Sequence, residues 1–335
     1  MPFFEDIEKY NSLSIVGLEK NTGKTECLNY VLKRLSSRNM KLALTSIGID
    51  GESRDQVCQT HKPEITVYED MIFVTSEMHY KSRKLVSEIL NLSTQSTSLG
   101  RLVTARAKST DKAMISGPAE TAGLKRLIMD MQKYAVDLTI VDGALSRMSL
   151  SSPAVTDAMI LATGAAYSSN IPQLVYKTKY IYDLINLPEL ESDLGQDLSE
   201  IEKGVYAIGS DDQIYDLNIS SVFMLEKVRD RLFEHGYRLF VSGAVTDKLF
   251  NYLKSQKEVA KIELIVKDFT RIFAVPEVFY SFIKKGGKVK VLQKTKLLAV
   301  TINPVSPDGY KLDSDELKQA MQDKLQIPVY DVRKL

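Results

Sequence analysis

The run Ser12-Leu-Ser-Ile-Val-Gly-Leu-Glu-Lys-Asn-Thr-Gly-Lys-Thr25 sets an apolar stretch, a loop with two glycines and a Lys-Thr pair in the order that builds an anion site. Backbone N–H groups of such a loop, with those of the helix start that follows, converge on a phosphate, and a glycine such as Gly23 lets the backbone come close. Lys24 is placed to reach the β- and γ-phosphates and the Thr25 hydroxyl to hold Mg²⁺. The chemistry predicted is therefore nucleoside triphosphate binding, with Gly17, Asn21, Thr22, Gly23, Lys24 and Thr25 forming the cradle. The usual pattern has four residues between its glycines; here five separate Gly17 from Gly23, and Leu18 stands at the standard first-glycine position. Lys20, a second loop lysine, reads as solvated rather than catalytic.

A nucleotide site also needs a carboxylate to orient Mg²⁺ or its water. Leu138-Thr-Ile-Val-Asp142-Gly143 is an apolar strand ending in aspartate, which makes Asp142 the first candidate. Strands ending in an Asp-Gly turn are common anywhere, and it is the loop upstream that gives this one its meaning. Asp50 or Glu52, in Ser46-Ile-Gly-Ile-Asp50-Gly-Glu52, follows the second expected strand at the same carboxyl edge, where open α/β folds bind ligands; either could serve the metal or simply turn the chain. The set expected to do chemistry is Lys24, Asp142 and Asp50, with Thr25 and Asp142 on the metal. Ser116-Gly-Pro118 and Thr163-Gly-Ala-Ala could present helix-start N–H groups to a ligand, although ordinary strand–helix connections look the same. Neither Val266-Lys-Asp268 nor Thr178-Lys-Tyr-Ile fits a guanine-reading motif, so adenine is the default and ATP with Mg²⁺ the expected ligand.

These residues must be positioned by an α/β framework. Short apolar runs at Leu13–Val16, Leu42–Ile47, Met71–Val74, Leu138–Val141 and Ala158–Ala162 alternate with stretches of helical periodicity, which predicts a mostly parallel sheet covered by helices. In the first helix Leu28, Val31, Leu32 and Leu35 share one face while Lys33, Arg34 and Ser37 share the other. Between Glu189 and Glu202 lie six acids and few large apolar residues, which reads as a solvated linker over 189–202. The expected organisation is a nucleotide-binding domain at 1–188 and a second, smaller α/β domain at 203–335. Its elements are a helix near Val222–Glu234, a strand at Arg238–Ser242, a helix at Asp247–Ser255, a strand at Ile262–Val266, and paired strands near Val289–Leu292 and Leu297–Ile302. A last helix at Ser314–Lys324 is capped by Asp313 or Ser314.

The chain has 335 residues, enough for about two domains. Its 44 basic residues nearly cancel 43 acidic ones without an extended basic run, which argues against nucleic acid as a partner. Two cysteines, no signal-peptide pattern and no apolar stretch of about 20 residues predict a cytoplasmic protein without a membrane span. Cys58-Gln-Thr-His61 has half the ligands of a closed zinc site, and Cys27 lies within the first helix. His79 and His235 have no partners nearby in sequence, and His235-Gly236 reads as a helix end.

The loop spacing is similar to that of dethiobiotin synthetase and the cobyrinate amidases. The run Gly17–Tyr30, together with Asp50-Gly-Glu-Ser, Asp142-Gly-Ala, Leu161-Ala-Thr-Gly-Ala-Ala and Thr301-Ile-Asn-Pro-Val-Ser-Pro, resembles the P-loop subunit of the reactivase for lysine 5,6-aminomutase over nearly the whole chain. The resemblance implies an ATP- and Mg²⁺-dependent partner of a MutS-like companion subunit. Together they would restore an aminomutase whose adenosylcobalamin has been damaged, with the second domain as the arm that touches partners. A rival from another class is a dethiobiotin-synthetase-like enzyme that activates a small carboxylate with ATP, for which Lys108, Lys112 and Arg147 are candidate substrate residues. A third is a nucleotide-sensing scaffold without turnover.

Overall fold

The computed structural model describes residues 3–38, 40–47, 65–144, 156–222, 224 and 231–334. The chain divides into two compact units, one of residues 1–178 with 295–335 and the other of residues 179–294. The first begins with α1 (Phe3–Ile7), β1 (Ser12–Gly17), α2 (Lys24–Ser36), β2 (Leu42–Ser46), β3 (Ile65–Val67), β4 (Ile72–Ser76) and α3 (Glu77–Ser82). It continues through β5 (Ser87–Thr97), β6 (Gly100–Ala107), β7 (Asp111–Ala113), α4 (Thr121–Met131), β8 (Leu138–Ala144), β9 (Ala158–Gly164) and α5 (Ile171–Ile185), which runs across the division. The second unit adds α6 (Gly195–Glu200), β10 (Val205–Ile208), β11 (Ile214–Asp216), β12 (Arg238–Val241), β13 (Val245–Thr246), α7 (Asp247–Leu253), β14 (Glu263–Val266), β15 (Ile272–Phe273), α8 (Pro276–Lys284) and β16 (Lys288–Val291). The chain then returns to the first unit with β17 (Lys296–Asn303), α9 (Ser314–Leu325) and β18 (Val329–Asp331).

The first unit is built on a nine-stranded sheet in the order β18-β17-β9-β1-β8-β2-β4-β6-β5. From β18 to β4 every neighbouring pair runs parallel, and only β6 and β5 turn back antiparallel. This is the expected α/β class. Every residue of β1, β2 and β9 is buried; strands covered on both faces read as continuous apolar runs, which is why these were visible in the sequence. The chain leaves β1 toward β2 on one side and later crosses from β8 to β9 on the other. The carboxyl end of β1 is therefore a topological switch point, where open α/β sheets hold ligands.

Helix α2 packs on this sheet through Cys27, Leu28, Val31, Leu32 and Leu35, all buried. Each such aliphatic side chain contributes about 1.5–3 kcal/mol. That packing holds the helix although no side chain caps its start at Gly23, so the N–H groups of its first turn stay open to a ligand. At the far end of the unit α9 is capped as expected, the Asp313 carboxylate accepting from the N–H groups of Asp315 at 3.0 Å and Glu316 at 2.8 Å.

The second unit has a five-stranded sheet in the order β11-β10-β12-β14-β16, with β12, β14 and β16 parallel and β10 antiparallel to both of its neighbours. Two expectations about organisation are corrected here. Residues 189–202 are no linker: Leu190 and Leu198 are buried with Ile208, Phe240 and Ile265, and Leu194 and Ile201 pack against them. The acids of this stretch all face solvent, so its composition reported one face of a packed segment. Nor do residues 203–335 form one domain. Strands β16 and β17, expected to pair, belong to different sheets, because β17 pairs with β9 and β18 with β17. In chain order the second unit is an insertion between α5 and β17. The helix expected at Val222–Glu234 falls largely outside the described residues.

Candidate functional site

At the carboxyl end of β1 the chain turns through Leu18, whose N–H donates to the Ala162 carbonyl at 2.9 Å and ties the loop to β9. Glu19, Lys20 and Asn21 are exposed, whereas Thr22 is wholly buried and donates its hydroxyl to the Glu19 carbonyl at 2.8 Å. Asn21 and Gly23 both adopt left-handed backbone, at φ 62° and 83°. Such alternation turns successive N–H groups into a concave, anion-binding surface. Gly23 is required twice over: its φ disfavours a side chain, and a Cβ there would stand 2.7 Å from Val332 Cγ2. The helix begins at once, with the Cys27 N–H donating to the Gly23 carbonyl at 3.0 Å.

Lys24, the first residue of α2, comes together with Asp142 of β8. Strand β8 lies between β1 and β2, with Ile15 and Ser46 flanking Asp142 in register, and Lys24 Nζ lies 2.6 Å from Asp142 Oδ1. The contact is an ion pair without hydrogen-bond angles: Asp142 Oδ1 is buried and accepts no hydrogen bond. The lysine side chain keeps 22% of its exposure and the aspartate side chain 9%. A buried carboxylate oxygen is costly unless a cation or donor uses it, and here, beside the phosphate loop, the Lys24 ammonium does so. Thr25 sits next in the first turn of α2, half-buried. Among the described residues no group of three or more His, Cys, Asp or Glu could hold a metal ion by itself. A divalent ion here would draw on Thr25, Asp142 and the phosphates of its ligand.

The flanking turns also reach this edge. Ser116 is buried, donates its N–H to the Val74 carbonyl at 3.0 Å, and accepts the Thr45 hydroxyl on its own carbonyl at 3.3 Å. No strand forms at Met114–Ile115, because β7 ends at Ala113. On the other side Thr163 and Gly164 end β9, and Tyr167 follows; burial, and then the charge of Glu19, pushes its hydroxyl above the ordinary 10.0. His79, without partners in nearby sequence, meets Ser116 across the fold, Nδ1 to Oγ at 3.2 Å. His235 stacks on Tyr215 at 3.8 Å between ring centroids.

Asp50, Glu52, Cys58, His61 and Arg147 lie outside the described residues. Lys108 is paired with Glu88 at 3.0 Å and follows the end of β6, which registers with the start of β4. It is at the edge of the sheet opposite the phosphate loop. Sequence reasoning missed Asn303 and Val332, which touch the loop from the chain's last strands. The one signal for Asn303 was its place at the end of an apolar strand, in the Asn-Pro step of Thr301–Pro307.

No protein-family model matches the sequence, and no curated protein matches it. Among solved structures the chain is similar to a ParA family ATPase from Chlorobium tepidum TLS, at 11% identity and a TM-score of 0.24, with 94% of this chain and 90% of that chain covered. A likeness so slight bears no weight, and the fold class rests on the sheet order and register described above. Among the described residues no helix is long and apolar enough to cross a membrane.

Proposed function

We propose that the chain is a Mg²⁺-dependent P-loop ATPase whose nucleotide cycle acts on a partner protein. The observation that carries this reading is the ion pair of Lys24 with Asp142 beside an uncapped helix start. The residues fit the ligand. Lys24 would exchange its contact with Asp142 for phosphate oxygens, the loop N–H groups would orient them, and Thr25 and Asp142 would hold Mg²⁺ directly or through water. When bound, the metal supplies positive charge to the terminal phosphates.

The finer reading is a subunit that reactivates an adenosylcobalamin-dependent lysine 5,6-aminomutase together with a MutS-like companion. What supports it is that two segments carrying the resemblance, Gly17–Tyr30 and Thr301–Pro307, meet at one site: the Asn303 side-chain amide donates to the Asn21 carbonyl at 3.0 Å. ATP would act by differential affinity, favouring the conformation that opens the mutase. The dethiobiotin-synthetase-like reading draws no such support, since Lys108, one of its substrate candidates, sits at the opposite sheet edge.

The test is ATP and GTP hydrolysis by wild type and Lys24→Ala with Mg²⁺, alone and with an aminomutase and its companion subunit. Hydrolysis that depends on Lys24 and rises with the partners supports the reading. Turnover with a small acid alone would move the assignment to the biosynthetic class, and a wild type that binds no nucleotide would overturn it.

A further inference from the structure

We infer that Asn303 is a positioning residue for the phosphate loop, holding the Asn21–Gly23 segment in its anion-binding conformation from across the sheet. The inference rests on the nucleotide reading above and deepens it. Asn303 ends β17, two strands away from β1 with β9 between them. Its Nδ2 donates to the Asn21 carbonyl at 3.0 Å, over a separation of 282 residues. Asn21 is in left-handed backbone, which asparagine adopts more readily than most residues, and the bond from Asn303 holds its carbonyl in that orientation. The carbonyl and N–H of one trans peptide point in opposite directions, so tying the Asn21 carbonyl to Asn303 turns the Thr22 N–H away from β17.

Asn303 is itself held on three sides. Its Oδ1 accepts the Val305 N–H at 3.2 Å, and its carbonyl accepts the Ala165 N–H at 2.8 Å. Gly164 lies so close to its backbone that a Cβ there would collide with the same carbonyl. The Asn303 Cβ also stands 3.2 Å from where a Gly23 Cβ would be, and Val332 closes the same spot from the other flank. The amide is thus fixed before any ligand arrives, which is the arrangement that lowers the ordering cost of binding.

The experiment measures binding of Mg²⁺-ATP and of Mg²⁺-tripolyphosphate, which lacks a nucleoside, to wild type, Asn303→Ala and Asn303→Asp. Asn303→Asp keeps the acceptor for Val305 and replaces the donor by an anionic acceptor, so it tests the contact if the alanine variant folds poorly; repeating it at high salt reduces the long-range part of its added charge. Both variants are expected to weaken both ligands by the same factor, about five-fold, with thermal melting of the free Asn303→Asp protein close to wild type. Weakened ATP with unchanged tripolyphosphate would assign Asn303 to the nucleoside and overturn the inference, as would two unchanged affinities. Failure of the nucleotide reading looks different: the wild type itself would bind neither ligand, and both proposals would fall together.

Discussion

Both units end parallel strands in loops that lead to helices, yet the acidic groups at two of those strand ends are held differently. Near the carboxyl end of β8 the Asp142 carboxylate meets the Lys24 ammonium at 2.6 Å, and beyond β1 the helix start has no side-chain cap. At the end of β14 the Asp268 carboxylate is buried, accepts the Thr270 N–H at 2.9 Å and the Thr270 hydroxyl, and lies 3.6 Å from Arg271 Nε. At the end of β12 the Ser242 hydroxyl donates to the Gly204 carbonyl at 3.2 Å. Asp268 and Ser242 are bonded within their own unit, whereas Asp142 is met by a lysine that a phosphate could draw away; the contrast is local to these strand ends, since the Thr246 hydroxyl at the end of β13 is also buried without a hydrogen bond. What sets the proposed site apart is therefore the phosphate-type loop and the Lys24–Asp142 pair together, rather than incomplete hydrogen bonding alone.

That contrast can be broken most sharply at the charges. Lys24→Ala is expected to lower ATP turnover by about 10²-fold or more, since it removes a charge aimed at the phosphates. Asp142→Asn should lower Mg²⁺-dependent turnover similarly; steady-state phosphate release checks both, and turnover unaffected by either would remove the functional half of the comparison. A glycine pair sharpens it next. Gly23→Ala meets a positive φ and Val332, and should cost about 1–3 kcal/mol of stability and weaken ATP. Gly243, between β12 and β13, has nothing within 4 Å of an added Cβ, so Gly243→Ala should stay within about 0.5 kcal/mol in a denaturant titration. Asp268→Ala removes a cap rather than a ligand group. It should cost about 1–2 kcal/mol and leave ATP binding as in wild type.

The parts of the site that lie close together in sequence were legible there. Residues 12–25 encode strand, loop and helix start in one run, and Asp142 follows the mostly apolar run 138–141, so both follow from local pattern, although the strand itself continues to Ala144. The α2 face was equally plain from its 3.6-residue period. Asn303 and Val332 were not legible as loop contacts, because nothing in residues 296–334 states which sheet they join. The domain boundary failed for a related reason: Leu190, Leu194, Leu198 and Ile201 place an apolar face among six acids, and counting composition averaged the two faces of the stretch. The edge hairpin β5–β6 carries polar Ser, Thr, Asn and Gln along β5, which blurs the apolar run that marks a buried strand.

The smallest expected effect at neutral pH separates the units by a titratable group that only the first contains within the described residues. Cys27 lies on α2, one turn behind the phosphate loop, fully buried. Burial pushes its thiol up from 9.0 to about 12. Between those values the unfolded chain has released the proton and the folded chain keeps it, so the folded state binds more protons and stability must fall as pH rises. Below that window the contribution is constant. Equilibrium unfolding of the ATP-stabilised unit, measured from pH 7 to 9 to stay below most tyrosine titration, should lose stability with a slope that steepens toward about 1.4 kcal/mol per pH unit. Cys27→Ala should remove that slope while lowering stability by a pH-independent amount for the lost packing. The unit built from residues 179–294, which has no cysteine, should show no such change between wild type and variant. A slope equal in wild type and Cys27→Ala would mean that the thiol is not shielded, and that the helix behind the loop opens far more readily than its packing implies.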